Sequence, residues 1–335
     1  MAPNFQFITA CQSYFDQAVE VAHLLNIKLT SRKWNGERVA MCGFPVPHLD
    51  RYLKTLVQQE HRFVAMCEEF VRYDSNGLKE FERRISRIVT PGTLIDESFV
   101  DPYNNNYLLA VHVPLTTPPP ESIGLAWIDI STGEFFSKEC TFENLKDELA
   151  RLAPREIVLD DSMKKHTEHP IVAALKEANR LVSYCSSTVP PSGDTSTASG
   201  SPQVQGTFNQ TMIPDESPHA DFGTRSQTRL AAELSRETDS IPDQETSAIQ
   251  LLTRFLQANL LEHMPLLNAP HHEDIRDRMQ IDSHTIQGLE IREVGHEGIT
   301  KGSLLSVVKR TLTSGGTRLL SRWLCRLLCI SNIHI

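Results

Sequence analysis

Between Tyr107 and Cys140 the chain holds three apolar segments, YLLAVHV, IGLAWIDI and EFFSKEC. A proline-rich loop, Pro114 to Pro120, parts the first two, and Ser131-Thr132-Gly133 parts the last two. Short apolar runs bounded by turn residues read as strands, so this stretch predicts a three-stranded meander. Phe142 to Leu152 follows with helical amphipathicity, Ile157-Val158-Leu159 reads as a short strand, and Ile171 to Ala178 as a second helix.

That β-β-β-α-β-α order resembles an RNase H-like fold. A separate small α/β unit precedes it. Phe15, Ala18, Val19, Val21, Ala22, Leu24 and Leu25 recur at helical spacing, and Ile27 to Arg32 alternates like a strand. Asn35-Gly36 then stands before Arg38-Val39-Ala40-Met41-Cys42, the strongest short signal for a hairpin. Gly43 to Pro47 reads as a forced turn. Leu49, Tyr52, Leu53, Leu56 and Val57 predict a helix; RFVAMC from Arg62 and the run Arg84 to Val89 predict strands, the second stopped by Thr90-Pro91-Gly92. The unit ends near residue 100.

From about 186 to 246 large apolar residues are rare, and Ser, Thr, Pro, Gly, Gln and Asp dominate. Such a segment buries too little surface to offset its ordering entropy; it predicts disorder, with room for a short helix near Thr228–Arg236. Helical pattern returns at Ala248 to Leu261 and again at Ser303 to Leu328, interrupted at Gly315-Gly316. The expected organisation is a first unit over 1–100, a second over 106–262 containing the disordered insert, and a helical segment over 263–335. The expected fold class is α/β for the first two units, followed by an all-α segment.

With a net charge of −9, bulk electrostatics do not favour nucleic acid, so any such contact must be local. The seven cysteines form no CxxC pair, which points to a reduced compartment and away from zinc. No run of about 18 apolar residues is present, so no membrane span is expected. The start, MAPNFQFITACQSYF, has no basic residue before its apolar stretch and reads neither as a secretory signal nor as an Arg-rich transit peptide.

Three stretches, in order, resemble the MutS family of DNA mismatch-repair proteins. The first is Gly43-Phe44-Pro45 with LKTLV from Leu53 and RFVAMCEEF from Arg62. The second is RIVTPGT, Arg87 to Thr93, with DISTGEF from Asp129. The third is MQIDSHTIQGLEI from Met279, continuing to TLTSGGTRLLSRWL from Thr311. The wording of LLNIKLTSR, LDRYLK and AMCEEF is similar to the mitochondrial branch, which implies a mitochondrial location, with a nuclear one as the alternative. The resemblance implies a mismatch-recognition domain, a connector and the start of a helical core, double-stranded DNA as partner, and a second MutS-type chain in the complete protein. It also implies Mg-ATP as cofactor of the complete protein. This chain has no GxxxxGK[ST] motif, and Gly295-His296-Glu297-Gly298 lacks the Lys and hydroxyl that cradle phosphates. No cofactor and no enzymatic activity are therefore expected of these residues.

The family reads mismatches with a Phe-x-Glu motif in the turn before the first helix, the Phe wedging into the base stack. Counting back from IKLT, those positions hold Ala10, Cys11 and Gln12; a methyl group cannot serve as an aromatic wedge. The basic residues Arg32, Lys33, Arg83, Arg84 and Arg87 lie on predicted strands or strand ends of the first unit and are the candidate phosphate contacts, Arg87 foremost. The plain alternative is solvated surface charge. Leu304, Leu305, Val307, Val308, Leu312, Leu319, Leu320, Trp323 and Leu324 form apolar faces that the family covers with later helices, so this segment is expected to expose them.

Two rival readings belong to other classes. The connector alone could serve as a protein-interaction module. Or Asp129, with Glu134 and Asp160 as partners by count, could mark a metal-dependent nuclease; one Asp without converging carboxylates is more simply a turn-bonding residue. His271-His272-Glu273-Asp274 reads as a polar helix start rather than a metal site, because adjacent residues point about 100° apart on a helix. No metal site is expected. Trp127 and Trp323 sit in apolar runs and read as core.

Overall fold

The computed structural model describes residues 5–7, 10–73, 78–94, 103, 105–115, 122–166, 168–177, 181–186, 242–265, 267–273, 281–295 and 300–325. The insert predicted to be disordered lies outside these residues except at its ends, as does the short helix expected within it. At the far end the expectation runs too long: Asp243 to Thr246 already belong to a helix, with Pro242 at its N-cap and Asp243 and Glu245 in the first turn, where acids favour a helix start.

In the first unit, strands β1 (Phe5–Phe7), β2 (Ala10–Tyr14), β3 (Thr30–Trp34) and β4 (Glu37–Pro45) form an antiparallel sheet of order β1-β2-β4-β3. Helix α1 (Asp16–Leu24) and helix α2 (Leu49–Leu53), which continues as a π-helix over Lys54–Gln59, cover it. Ala18, Val21, Ala22, Leu53, Leu56 and Val57 meet Val64, Met66 and Val89 in one core. Asn35 and Gly36 have φ of 49° and 89°, the positive values a tight two-residue hairpin turn needs. The expected strand at 27–32 begins at Thr30 instead. The forced turn at 43–47 also starts later, since β4 runs through Pro45. Beyond Met41 that strand pairs with β2 alone, so the missing N–H of Pro45 costs no bond on the open side. Strands β5 (Val64–Tyr73) and β6 (Lys79–Val89) make a separate long hairpin, and β1 runs alongside β5.

The second unit is a six-stranded sheet with β7 (Tyr107–His112), β8 (Ser122–Asp129), β9 (Glu134–Thr141), β10 (Glu156–Asp160), β11 (Leu181–Cys185) and β12 (His271–His272). Its order is β11-β10-β7-β8-β9-β12; β10 runs parallel to β7 and β11, while β7, β8 and β9 form the meander. The apolar runs are continuous because both faces are covered. Leu109, Val111, Leu125 and Trp127 face helices α3 (Leu145–Leu152) and α4 (Pro170–Glu177). Leu108, Ala110, Ala126 and Ile128 face α5 (Asp243–Leu260). The strand β11 was not foreseen: LVSYC is short and merges with the polar insert.

The last segment adds α6 (Ser283–Gly288), α7 (Leu304–Val308) and α8 (Ser314–Leu324). It is not purely helical. His271-His272, expected as a helix start, instead pairs in parallel with Phe136-Ser137 as an added edge strand. His272 Nδ1 lies 2.9 Å from the buried Glu245 carboxylate, a fixed polar contact that an extended backbone delivers. Asp274 lies outside the described residues. Leu304, Val307, Val308, Leu312 and Trp323 are exposed as expected of them from the family pattern, but Leu305 is fully buried, and Leu319, Leu320 and Leu324 are half-buried. Trp323 is therefore not core; α8 turns Thr317, Arg318 and Ser321 inward instead.

Candidate nucleic-acid interface

The β3–β4 ribbon carries two of the five candidate phosphate contacts. Every side chain of β3 is exposed. Arg32 stands opposite Val39, Lys33 opposite Arg38 and Trp34 opposite Glu37, so alternation places Arg32 and Lys33 on opposite faces of the ribbon. Trp34 is 50% exposed, its ring set edge-on to Tyr14 at 6.1 Å.

The other three lie on β6. Arg83 reaches Glu69 across the hairpin, Nη2 to Oε1 3.2 Å, and the Arg84 guanidinium lies 3.9 Å from the ring centroid of Phe70. Arg87 is half-buried opposite Met66. The two groups thus sit on different sheets. Glu69 offsets the charge of Arg83 and the Phe70 ring holds Arg84 in place, whereas Arg32 and Lys33 stand out on an edge strand.

Ala10, Cys11 and Gln12 occupy no turn. They lie in β2, hydrogen-bonded between β1 and β4, with Ala10 opposite Pro45 and Gln12 opposite Gly43. The chain reaches α1 only after Tyr14 and Phe15, because β4 pairs with β2 through Tyr14 and Phe5 to Phe7 extends the sheet on its other side. The Gln12 side chain accepts a hydrogen bond from the Tyr14 hydroxyl at 2.5 Å.

The nuclease constellation does not assemble. Asp129 ends β8, the second strand of the sheet, and is 2% exposed. Its Oδ1 accepts from the backbone N–H (3.0 Å) and the hydroxyl (2.6 Å) of Ser131, and its Oδ2 pairs with Arg318 Nη1 at 3.1 Å. Glu134 pairs with Arg322 at 2.7 Å, and Asp160 caps the following turn through Ser162 N–H. Among the described residues no group of three metal-ligating side chains converges. A guanidinium, from a helix 189 residues away, holds the carboxylate that a metal would need.

Two further carboxylates, Glu156 and Glu273, join the units. Glu156, at the start of β10, is fully buried. It accepts from Thr90 Oγ1 (2.5 Å), Gly92 N–H (2.8 Å) and Ser183 Oγ (2.5 Å). The Thr90-Pro91-Gly92 turn that ends the first unit is thereby bonded into the sheet of the second unit. Burial pushes the Glu156 carboxyl above the usual range, opposed by its hydrogen bonds from Ser183, Thr90 and Gly92. Glu148 on α3 goes the other way: burial would raise it, but Arg151 and Lys138 outweigh that and hold it below its ordinary value. Arg151 also reaches Glu273 at 3.4 Å, tying β12's end to α3. The sequence offered one signal for Glu156, an acid at the head of the apolar strand IVL; nothing in it pointed to Arg318.

Comparison with known proteins follows this division. Residues 7–98 match the family model for MutS domain I, and residues 106–200 match that for MutS domain II. A DNA mismatch repair protein MutS of Bartonella quintana is 32% identical over 312 residues, covering 92% of this chain and 31% of the relative. One from Cereibacter sphaeroides is 33% identical over 316 residues, covering 93% and 31%. The chain thus spans about a third of the length of these relatives.

Proposed function

The chain belongs to the MutS family, carrying its domains I and II, and we propose that domain I lies along duplex DNA while domain II couples it to the rest of a mismatch-repair protein. The observation that carries this is the fully exposed edge strand β3, with Arg32 and Lys33, in a chain whose net charge is −9. Such local cations contact phosphates and bind with strong salt dependence and no sequence preference.

With Ala10 in place of an aromatic wedge, this chain binds matched and mismatched duplex alike. Fluorescence anisotropy with a matched and a G·T duplex tests both parts: equal, salt-sensitive affinities are expected. No binding at low salt would remove the DNA-contact reading, and a clear G·T preference would overturn the reading of Ala10 and Gln12. Mg-ATP and a second MutS-type chain belong, in this proposal, to parts of the protein beyond these residues; calorimetry of this chain with Mg-ATP should give no binding heat. The similarity of LLNIKLTSR and AMCEEF to the mitochondrial branch supports a mitochondrial site of action, which fractionation of the native protein would test.

A further inference from the structure

From the pairing register of the β3–β4 ribbon we infer that Lys33 and Arg38 together form a phosphate clamp for duplex DNA on one face of that ribbon. The inference rests on the DNA-binding reading above and extends it to a residue that reading does not contain, Arg38.

Antiparallel alternation divides the ribbon. Arg32, Trp34, Glu37 and Val39 share one face, which carries one cation and one acid. Ser31, Lys33, Arg38 and Ala40 share the other, which has two cations and no acid. The turn residues are Asn35 and Gly36, so Trp34 and Glu37 close the hairpin as a hydrogen-bonded pair. The next pair, Lys33 and Arg38, is then of the non-hydrogen-bonded kind, whose side chains stand closest.

Like charges directly opposite one another destabilise a ribbon. Here the pair sits at the exposed end of a hairpin, in a stretch from Lys28 to Arg38 that holds four basic residues against the single acid Glu37. An arrangement that repels itself when empty is relieved by an anion set between the two charges. The spacing of two side chains on adjacent strands suits one phosphate group, and a two-stranded ribbon is narrow enough to follow a duplex groove. The clamp thus favours Lys33, which has a second cation opposite it, over Arg32, which stands opposite Val39 on the face that also carries Glu37.

The test is anisotropy of the full chain with a fluorescein-labelled matched duplex over a salt series. Lys33→Ala and Arg38→Ala should each lower the slope of log affinity against log salt by about one, and the double variant by about two. Arg32→Ala should change it less. Lys33→Arg should keep the slope. Because the substitutions remove a repulsion, the thermal midpoint of Arg38→Ala should stay level or rise, which separates a ligand site from a structural one. An unchanged slope in the double variant, with the unaltered chain binding normally, overturns the clamp and leaves the broader DNA reading standing. Failure of the unaltered chain to bind overturns both. Binding to phosphatidylserine vesicles in preference to duplex would also overturn the assignment.

Discussion

Gly92→Ala should separate the two domains' packing from their individual folds. A Cβ at this position would lie 2.6 Å from Leu108 Cδ1, 2.9 Å from Glu156 Oε2 and 3.0 Å from Glu156 Cβ. Ordinary carbon contacts are about 3.5–4.0 Å. Neither neighbour can yield into solvent, since Leu108 and Glu156 are both fully buried. The Gly92 backbone does not lie in the left-handed region, so the cost is packing rather than strain. Overpacking of this kind costs about 1–3 kcal/mol. If the turn backs away, the Gly92 N–H loses its buried acceptor, adding about 1–3 kcal/mol. Together these come to about 2–6 kcal/mol, a large part of a domain's margin of about 5–15 kcal/mol. Gly315→Ala is the control: nothing lies within 4 Å of its Cβ and it sits in α8, so alanine should be neutral or stabilise by up to about 1 kcal/mol. Urea unfolding followed by far-UV circular dichroism and tryptophan fluorescence measures both. A Gly92→Ala midpoint equal to that of the unaltered chain would refute the claim that this turn is held against the second domain by close contact.

Glu156→Gln should change how stability depends on pH. The folded-state pKa is raised by burial, so the folded chain holds this proton more tightly than the unfolded one. That contribution is complete below the unfolded value, about 4.3, and is lost as pH rises through the folded value. Urea midpoints of the unaltered chain should therefore fall across that window relative to Glu156→Gln; parallel profiles would show that the carboxyl does not titrate there. Asp129→Ala strands Arg318 in a buried site and should cost about 3–5 kcal/mol, with the Asp129→Ala/Arg318→Ala double variant costing less than the sum of the single variants. Thermal unfolding reads this out, and additive losses would argue against the pair. Magnesium should leave all three midpoints unmoved; protection by magnesium that depends on Asp129 would revive the metal reading.

Much of the fold is legible in local pattern. The Asn35-Gly36 hairpin, the helices after Asp16 and Leu145 and the meander from Tyr107 follow from turn chemistry and periodicity, which act within a few residues. The family's stretches could likewise be found in the chain. What the sequence could not decide were contacts between residues far apart along it. The strand at Leu181–Cys185 forms because β10 offers it an edge, and the strand at His271–His272 because β9 does. The Ala10–Gln12 segment is a strand because Gly43–Pro45 and Phe5–Phe7 pair with it on either side. Asp129, read alone, was open to a metal or a turn; it became a structural carboxylate only when α8 brought Arg318 to it. Sequence alone set Arg87 first among the five candidate cations and could not tell the other four apart; register then put Glu69 against Arg83, Phe70 under Arg84 and Arg38 opposite Lys33. Periodicity tells a residue which face it shares, but the charge on that face depends on a partner strand, and pairing is a tertiary choice.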